Sequence, residues 1–148
     1  MIELLNLLNM NKLEFRAWNG SRMLHNVGVH PHMIVYHGAE DEGYTENSEG
    51  AYTISPAFNR YVIMQFIRAY DKNEEKIFEG DVVRWEGSGF SHTCRVLFDD
   101  VEFLGYTLES YNKDEDGLIP IGVHGAKPEE LEVIGNIYEN LKFKFKFK

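Results

Sequence analysis

The chain has 148 residues, 43% of them hydrophobic and 14% aromatic. That is apolar surface enough for a packed core and a length that suits one domain with room for a second small lobe, so disorder throughout is excluded. The 24 acidic residues outnumber the 15 basic ones for a formal net charge of −9, which repels phosphate and argues against direct nucleic-acid binding. Such a charge keeps a small β protein soluble, and it can also attract a protein partner with a basic surface or imitate nucleic acid before a protein that binds it. Cys94 is the only cysteine, so an intramolecular disulfide and a multi-cysteine zinc site are excluded and a cytoplasmic chain is expected. No apolar run reaches the roughly 18 residues of a membrane span.

Residues 1–9 have helical spacing of Leu and Ile, but they are too few to hold a helix alone and lack the basic flank of a signal peptide. They are predicted to be a poorly anchored helical leader. Leu13–Trp18 alternates apolar and polar residues, and Asn19-Gly20 then leads into Ser21-Arg22-Met23-Leu24. Asn-Gly between two strand-like runs predicts a hairpin in which both central residues take positive φ. Trp18 is expected to seal one end of the core. Val27–His37 holds one or two short strands, the better at Ile34-Val35-Tyr36. The acidic, glycine-punctuated stretch Gly38–Gly50 lacks an apolar period and is predicted to be a loop. Tyr61–Ile67 is the most apolar run and is predicted to be a central strand, with a polar turn over Tyr70–Lys76.

Ile77-Phe78-Glu79-Gly80-Asp81-Val82-Val83 follows. Gly80 offers a backbone conformation closed to other residues and Asp81 a side chain that bonds its own local backbone, the chemistry of a tight corner. Strands are predicted at Val82–Trp85, Thr93–Phe98, Phe103–Glu109, Leu118–Val123 and Val133–Glu139. Turns are predicted at Gly87-Ser88-Gly89 and Asn112–Gly117, and one helical turn at Pro128-Glu129-Glu130. Short strands separated by glycine-rich turns predict a small barrel or sandwich. The last seven residues alternate Lys and Phe from Lys142 to Lys148. As a strand, that segment would place Phe on one face and pair with a sheet edge, its own or a neighbour's.

Chemistry-bearing residues are few. Four of the six histidines lie between His25 and His37, and His30 and His32 would share a strand face with His37 nearby. This is a metal-binding pattern weakened by Pro31 and equally explained by surface histidines. Asp99, Asp100 and Glu102 follow a strand, and Asp114, Glu115 and Asp116 fill a turn. A hydrolase needs converging carboxylates around a hard ion, whereas adjacent acids usually diverge into solvent. Cys94 and His92 would share a strand face, but no third orienting group accompanies them and a buried thiol is the expected reading. There is no phosphate loop, nucleophile elbow or helix-borne His-Glu motif. The chain is therefore expected to be no enzyme, with no catalytic, cofactor-binding or metal-ligating residue assigned. Tyr44 and Tyr111 lie in loops as contact points of no special rank.

Three pieces in one order resemble the YopX family of phage and prophage proteins. They are Leu13–Trp18; Met64-Gln65-Phe66 with Asp71-Lys72-Asn73 and Ile77–Val83; and Val133-Ile134-Gly135-Asn136-Ile137-Tyr138-Glu139-Asn140. The family usually places Gly after Asp-Lys-Asn. Here Glu74 stands there, so that turn must tolerate a side chain or change type. The resemblance implies a mainly β protein with an SH3-like small β-barrel in the C-terminal half and an N-terminal β-hairpin lobe. It implies structural roles for Gly80, Gly135, Trp18 and Phe78, a phage or prophage origin and no activity. The expected organisation is leader 1–9, β lobe 10–70, barrel 71–141 and Lys/Phe tail 142–148, the two lobes forming one folded unit. Three functions follow as expectations. The first is a non-enzymatic module that engages a host or phage protein through a basic surface. The second is a homo-oligomer assembled through sheet edges, and the third a metal-dependent enzyme using the His25–His37 region.

Overall fold

The computed structural model describes residues 13–30, 33–36, 45–46, 52–54, 61–87, 89–102, 104–111, 117–123 and 125–144. The leader and the acidic turn over 112–116 lie outside these residues. The architecture is mainly β, with two antiparallel sheets, and the chain divides into two compact units whose boundary, Gln65 to Phe66, falls inside a strand.

The first unit carries β1 (Phe15–Trp18), β2 (Met23–His30), β3 (Met33–Tyr36), β4 (Thr45–Glu46), β5 (Tyr52–Ile54) and the start of β6 (Val62–Tyr70), in the ladder order β4-β5-β3-β2-β1-β6. Ala17, Leu24 and Val27 are buried against Phe15, Tyr61 and Ile63, and a bulge in β2, where Asn26 has φ +56, turns Leu24 and Val27 to one face. The predicted hairpin forms, with a different turn. Trp18 pairs with Met23, which leaves Asn19–Arg22 as the loop. Gly20 has φ +102, but Asn19 keeps a negative φ and uses its side chain as a cap, Oδ1 accepting the N–H groups of Ser21 and Arg22 at 2.9 Å each. A cap that satisfies two donors replaces the expected left-handed pair. The Gly38–Gly50 stretch contains strand β4, which the absence of apolar periodicity concealed.

In the second unit, the end of β6 pairs with β7 (Lys76–Phe78). A five-stranded sheet follows, made of β8 (Asp81–Gly87), β9 (Phe90–Asp99), β10 (Gly105–Ser110), β11 (Leu118–Pro120) and β12 (Leu131–Asn136), in the order β11-β10-β9-β8-β12. No ladder among the described residues closes this sheet into a barrel. One face buries Val83, Cys94, Val96, Leu108 and Leu131 with Ile77. The predicted helical turn is a 3-10 turn at Pro128–Glu130.

Backbone corners hold this unit together. At the β6–β7 turn the Glu74 N–H donates to the Asp71 carbonyl (3.0 Å) and Glu74 has φ +64. A tight turn followed by a left-handed residue is the bulged hairpin connection that favours glycine. The chain thus keeps the turn, with Glu74 where the resemblance led to an expectation of Gly. A left-handed conformation costs an L-residue roughly 1–2 kcal/mol, against roughly 0.4–1 kcal/mol for the extra unfolded-state freedom of glycine. Glu74→Gly should therefore stabilise the protein by up to about 1 kcal/mol in a urea titration. A loss of stability would show that the turn is unstrained.

At the next corner Gly80 has φ +83, and the buried Asp81 accepts the Phe78 N–H through Oδ2 at 2.8 Å. The Gly80 N–H and carbonyl bond Val96 and Ile137. The last predicted strand is corrected at its end. β12 stops at Asn136, because Gly135 shifts the register opposite β8 and the Asn136 Oδ1 accepts the N–H groups of Tyr138 (3.0 Å) and Glu139 (2.8 Å), turning the chain. The start of the Lys/Phe segment is corrected too. Leu141–Lys144 forms one helical turn, α1, in place of a strand, and residues 145–148 lie outside the described set.

Candidate functional site

Among the described residues, the side chains singled out for chemistry are not brought together into a metal-holding group. His25 is exposed on β2 and His30 ends that strand, while His32 and His37 lie outside the described residues. Among the described residues, no three His, Cys, Asp or Glu side chains are placed to hold a metal ion. Asp99 is buried and structural, its carboxylate accepting the N–H groups of Val101 (3.4 Å) and Glu102 (3.0 Å) to hold the β9–β10 connection. Asp100 and Glu102 are exposed beside it, and 114–116 lie outside the described set. Cys94 is fully buried between Val83 and Ser110, a small apolar filler. His92 lies against the indole of Trp85, ring centroids 5.4 Å apart, with Nε2 3.2 Å from the Gly87 carbonyl oxygen. Trp85 Nε1 donates to Glu130 at 3.0 Å, which ties β8 to the 3-10 turn.

What this end of the sheet does expose is apolar side chains. On β9, Cys94, Val96 and Phe98 share a face by alternation; the first two are buried and Phe98 is 49% exposed. Its cross-strand partner Tyr106 meets it edge to face at 5.3 Å. The strand pair thus carries the core face out past the core. Beyond Phe98, Val101 is 85% and Leu104 72% exposed, and Leu104 has φ +50. The Tyr106 carbonyl accepts the Ile121 N–H at 3.0 Å, which brings exposed Val123 to the same end of the sheet.

Acids border this rim. Asp100 and Glu102 flank Val101, and burial followed by the charge of Glu79 raises the Tyr106 phenol above its ordinary pKa, with Arg68 opposing. Exposed apolar side chains thus cluster in sequence around the β9–β10 connection with acids beside them. Sequence reading missed these residues, although Phe98-Asp99-Asp100-Val101-Glu102 interrupts its acids with apolar side chains that a solvated turn does not need.

The family model described as YopX protein matches residues 14–142. The chain belongs to the YopX family. Its fold is similar to protein EF1440 from Enterococcus faecalis, at TM-score 0.55 and 22% identity over 88% of this chain and 96% of that one. It is similar to protein YopX from Bacillus subtilis at TM-score 0.54 and 15% identity, with the same coverage. No curated protein matches the chain. The pieces that carry the YopX resemblance are now seen as β1, the Asp71 turn, the Gly80–Asp81 corner and the Gly135–Asn140 corner. They supply backbone corners and buried core residues such as Ala17, Phe66 and Ile77, and Phe98, Val101 and Leu104 lie outside all of them. No helix among the described residues is long and apolar enough to cross a membrane.

Proposed function

We propose that this chain is a non-enzymatic protein-interaction module, an accessory protein of a phage or prophage that acts in the bacterial cytoplasm and engages a host or phage protein through a basic surface on that partner. The observation that carries this reading is the exposed rim of Phe98, Val101 and Leu104, edged by Asp100 and Glu102. Exposed aromatic and aliphatic side chains supply the anchor of an interface, and the acids around them supply orientation and encounter rate. The sheet order β11-β10-β9-β8-β12, with a 3-10 turn leading into a last strand that pairs with the first, supports an SH3-like plan for the scaffold. Such scaffolds more often bind than catalyse, an argument by analogy of fold.

Assembly through sheet edges has less support. β11 is three residues ending in Pro120. The outer side of β12 is occupied where Lys72 N–H bonds the Leu131 carbonyl (2.9 Å) and Asp71 accepts the Val133 N–H (2.9 Å).

The test is a tagged capture from host lysate at low salt with the wild-type chain and with a Phe98→Ser, Val101→Ser, Leu104→Ser variant of unchanged melting temperature. The expected result is a stoichiometric protein held by the wild type, released by rising salt and lost by the variant. A partner held equally by both chains, or one indifferent to salt, would refute the rim as the binding surface.

A further inference from the structure

The opposite face of the five-stranded sheet bears a second, smaller apolar cluster. Val82 and Phe143 are buried there, with Tyr111, Ile134 and Ile137 packed around them. The ring of Phe143 meets that of Tyr111 edge to face at 6.4 Å, and Tyr111 is fixed in turn by its N–H to the Thr93 carbonyl. The floor is backbone, since a Cβ at Gly135 would stand 3.1 Å from Phe143 Cε2. The segment that delivers the ring hangs from the corner before it. Asn136 N–H donates to Asn140 Oδ1 (3.0 Å), Asn140 N–H to the Asn136 carbonyl (3.2 Å), and Phe143 N–H to the Asn140 carbonyl (2.9 Å).

We infer that the cleft between Val82, Tyr111, Ile134 and Ile137, floored by Gly135, is a recognition pocket for a phenylalanine side chain on a lysine-flanked segment of a partner protein, kept filled in the free chain by Phe143. The occupant's chemistry is displayed by the chain itself. Phe143 stands between Lys142 and Lys144, and the same Lys-Phe step recurs at Phe145 and Phe147. All 24 acidic residues precede Lys142, so the net charge of the body favours a basic–aromatic segment from another molecule. Lys142 is exposed with its ammonium 4.8 Å from the Phe143 ring centre, the charged head in water and the aromatic body in the cleft. The plug is also weakly built. Four residues of helix do not hold themselves, so α1 stays in place through the ring in its cleft and the Asn136–Asn140 anchor. A site blocked by its own chain for most of the time shows an affinity reduced by the fraction that is open, and emptying it restores the intrinsic value. This pocket lies on the other face of the sheet from Phe98 and stands independently of the rim.

The experiment uses a fluorescein-labelled heptapeptide, Lys-Phe-Lys-Phe-Lys-Phe-Lys, titrated by fluorescence anisotropy. The receptors are the full-length wild type and a full-length Phe143→Ser, Phe145→Ser, Phe147→Ser variant. The variant is expected to bind roughly tenfold or more tightly than the wild type. Rising salt should weaken that binding, and a peptide with Ser in place of each Phe should abolish it. Equal binding by the two chains, or none by a folded variant, overturns the proposal. Should the variant not fold, unlabelled peptide is added to the wild type and followed by amide resonances. Shifts centred on Tyr111, Ile134 and Ile137 support the pocket, and their absence at millimolar peptide overturns it. A wild type that is dimeric where the serine variant is monomeric would show the cleft filled by a second copy, which overturns the role of a partner.

Discussion

Asp71→Ala should lower stability by about 3–5 kcal/mol, among the largest losses available from one side chain in this protein. The carboxylate is buried and accepts three backbone donors, Asn73 N–H (2.8 Å) and Glu75 N–H (2.9 Å) through Oδ1 and Val133 N–H (2.9 Å) through Oδ2. Each donor left without an acceptor in a protein interior costs about 1–3 kcal/mol, partly recovered where water can enter. The loss is compounded because one carboxylate joins the β6–β7 turn to β12, residues distant in sequence. In a chain of this length the melting temperature should fall by roughly 10 °C or more. Asp71→Asn keeps one carbonyl oxygen but turns an amide donor on a backbone donor, so it should lie between the two. A melting temperature for Asp71→Ala within about 2 °C of the wild type would show that the three bonds carry little net energy.

Gly135→Ala should cost about 2–4 kcal/mol for the addition of one methyl group. The new carbon would stand 2.5 Å from Asn140 Oδ1 and 2.9 Å from its Cγ. The glycine has φ +155, at the limit of what L side chains adopt. Asn140 has nowhere cheap to go, because the atom that is struck is the acceptor for Asn136 N–H. Moving it breaks the bond that starts the corner, and the ring of Phe143 must move as well. The double variant Gly135→Ala, Asn140→Ala separates clash from conformation, since removing the struck side chain should recover part of the loss. Losses that simply add in urea unfolding would mean that the two residues do not collide.

Much of the fold was legible because its corners are written in residues with special backbone chemistry. Asn19-Gly20, Asp71-Lys72-Asn73 and Gly80-Asp81 mark three turns, and apolar alternation fills the strands between them. What was not legible had physical reasons. β4 has two residues and no apolar period to betray it. The end of β12 was read as strand because Ile137 and Tyr138 suit strands, yet the Asn136 side chain offered the N–H groups of Tyr138 and Glu139 a closer acceptor. The Lys/Phe alternation has the period of a strand, but Phe143 buries its ring by starting a helical turn, so a tertiary contact overrode the local pattern. The apolar rim escaped because exposure is a property of where a sheet overhangs its core, which no single stretch of sequence records. Of the histidines from His25 to His37, His32 and His37 lie outside the described residues, and spacing is all that a sequence displays.

The two tryptophans divide between the two units, Trp18 in the stretch from Leu13 to Gln65 and Trp85 in the stretch from Phe66 onward. Their surroundings differ. The Trp85 indole faces the His92 ring, donates through Nε1 to Glu130 and lies over Gly87, whereas Trp18 ends β1 opposite Met23. Each half of the molecule thereby holds one tryptophan, a fluorophore that can be excited apart from the tyrosines. With Trp18→Phe and Trp85→Phe in hand, emission from either half can be followed through the same denaturant series without any attached dye. Coincident curves would describe a single cooperative transition, and separated ones would give each half a midpoint of its own.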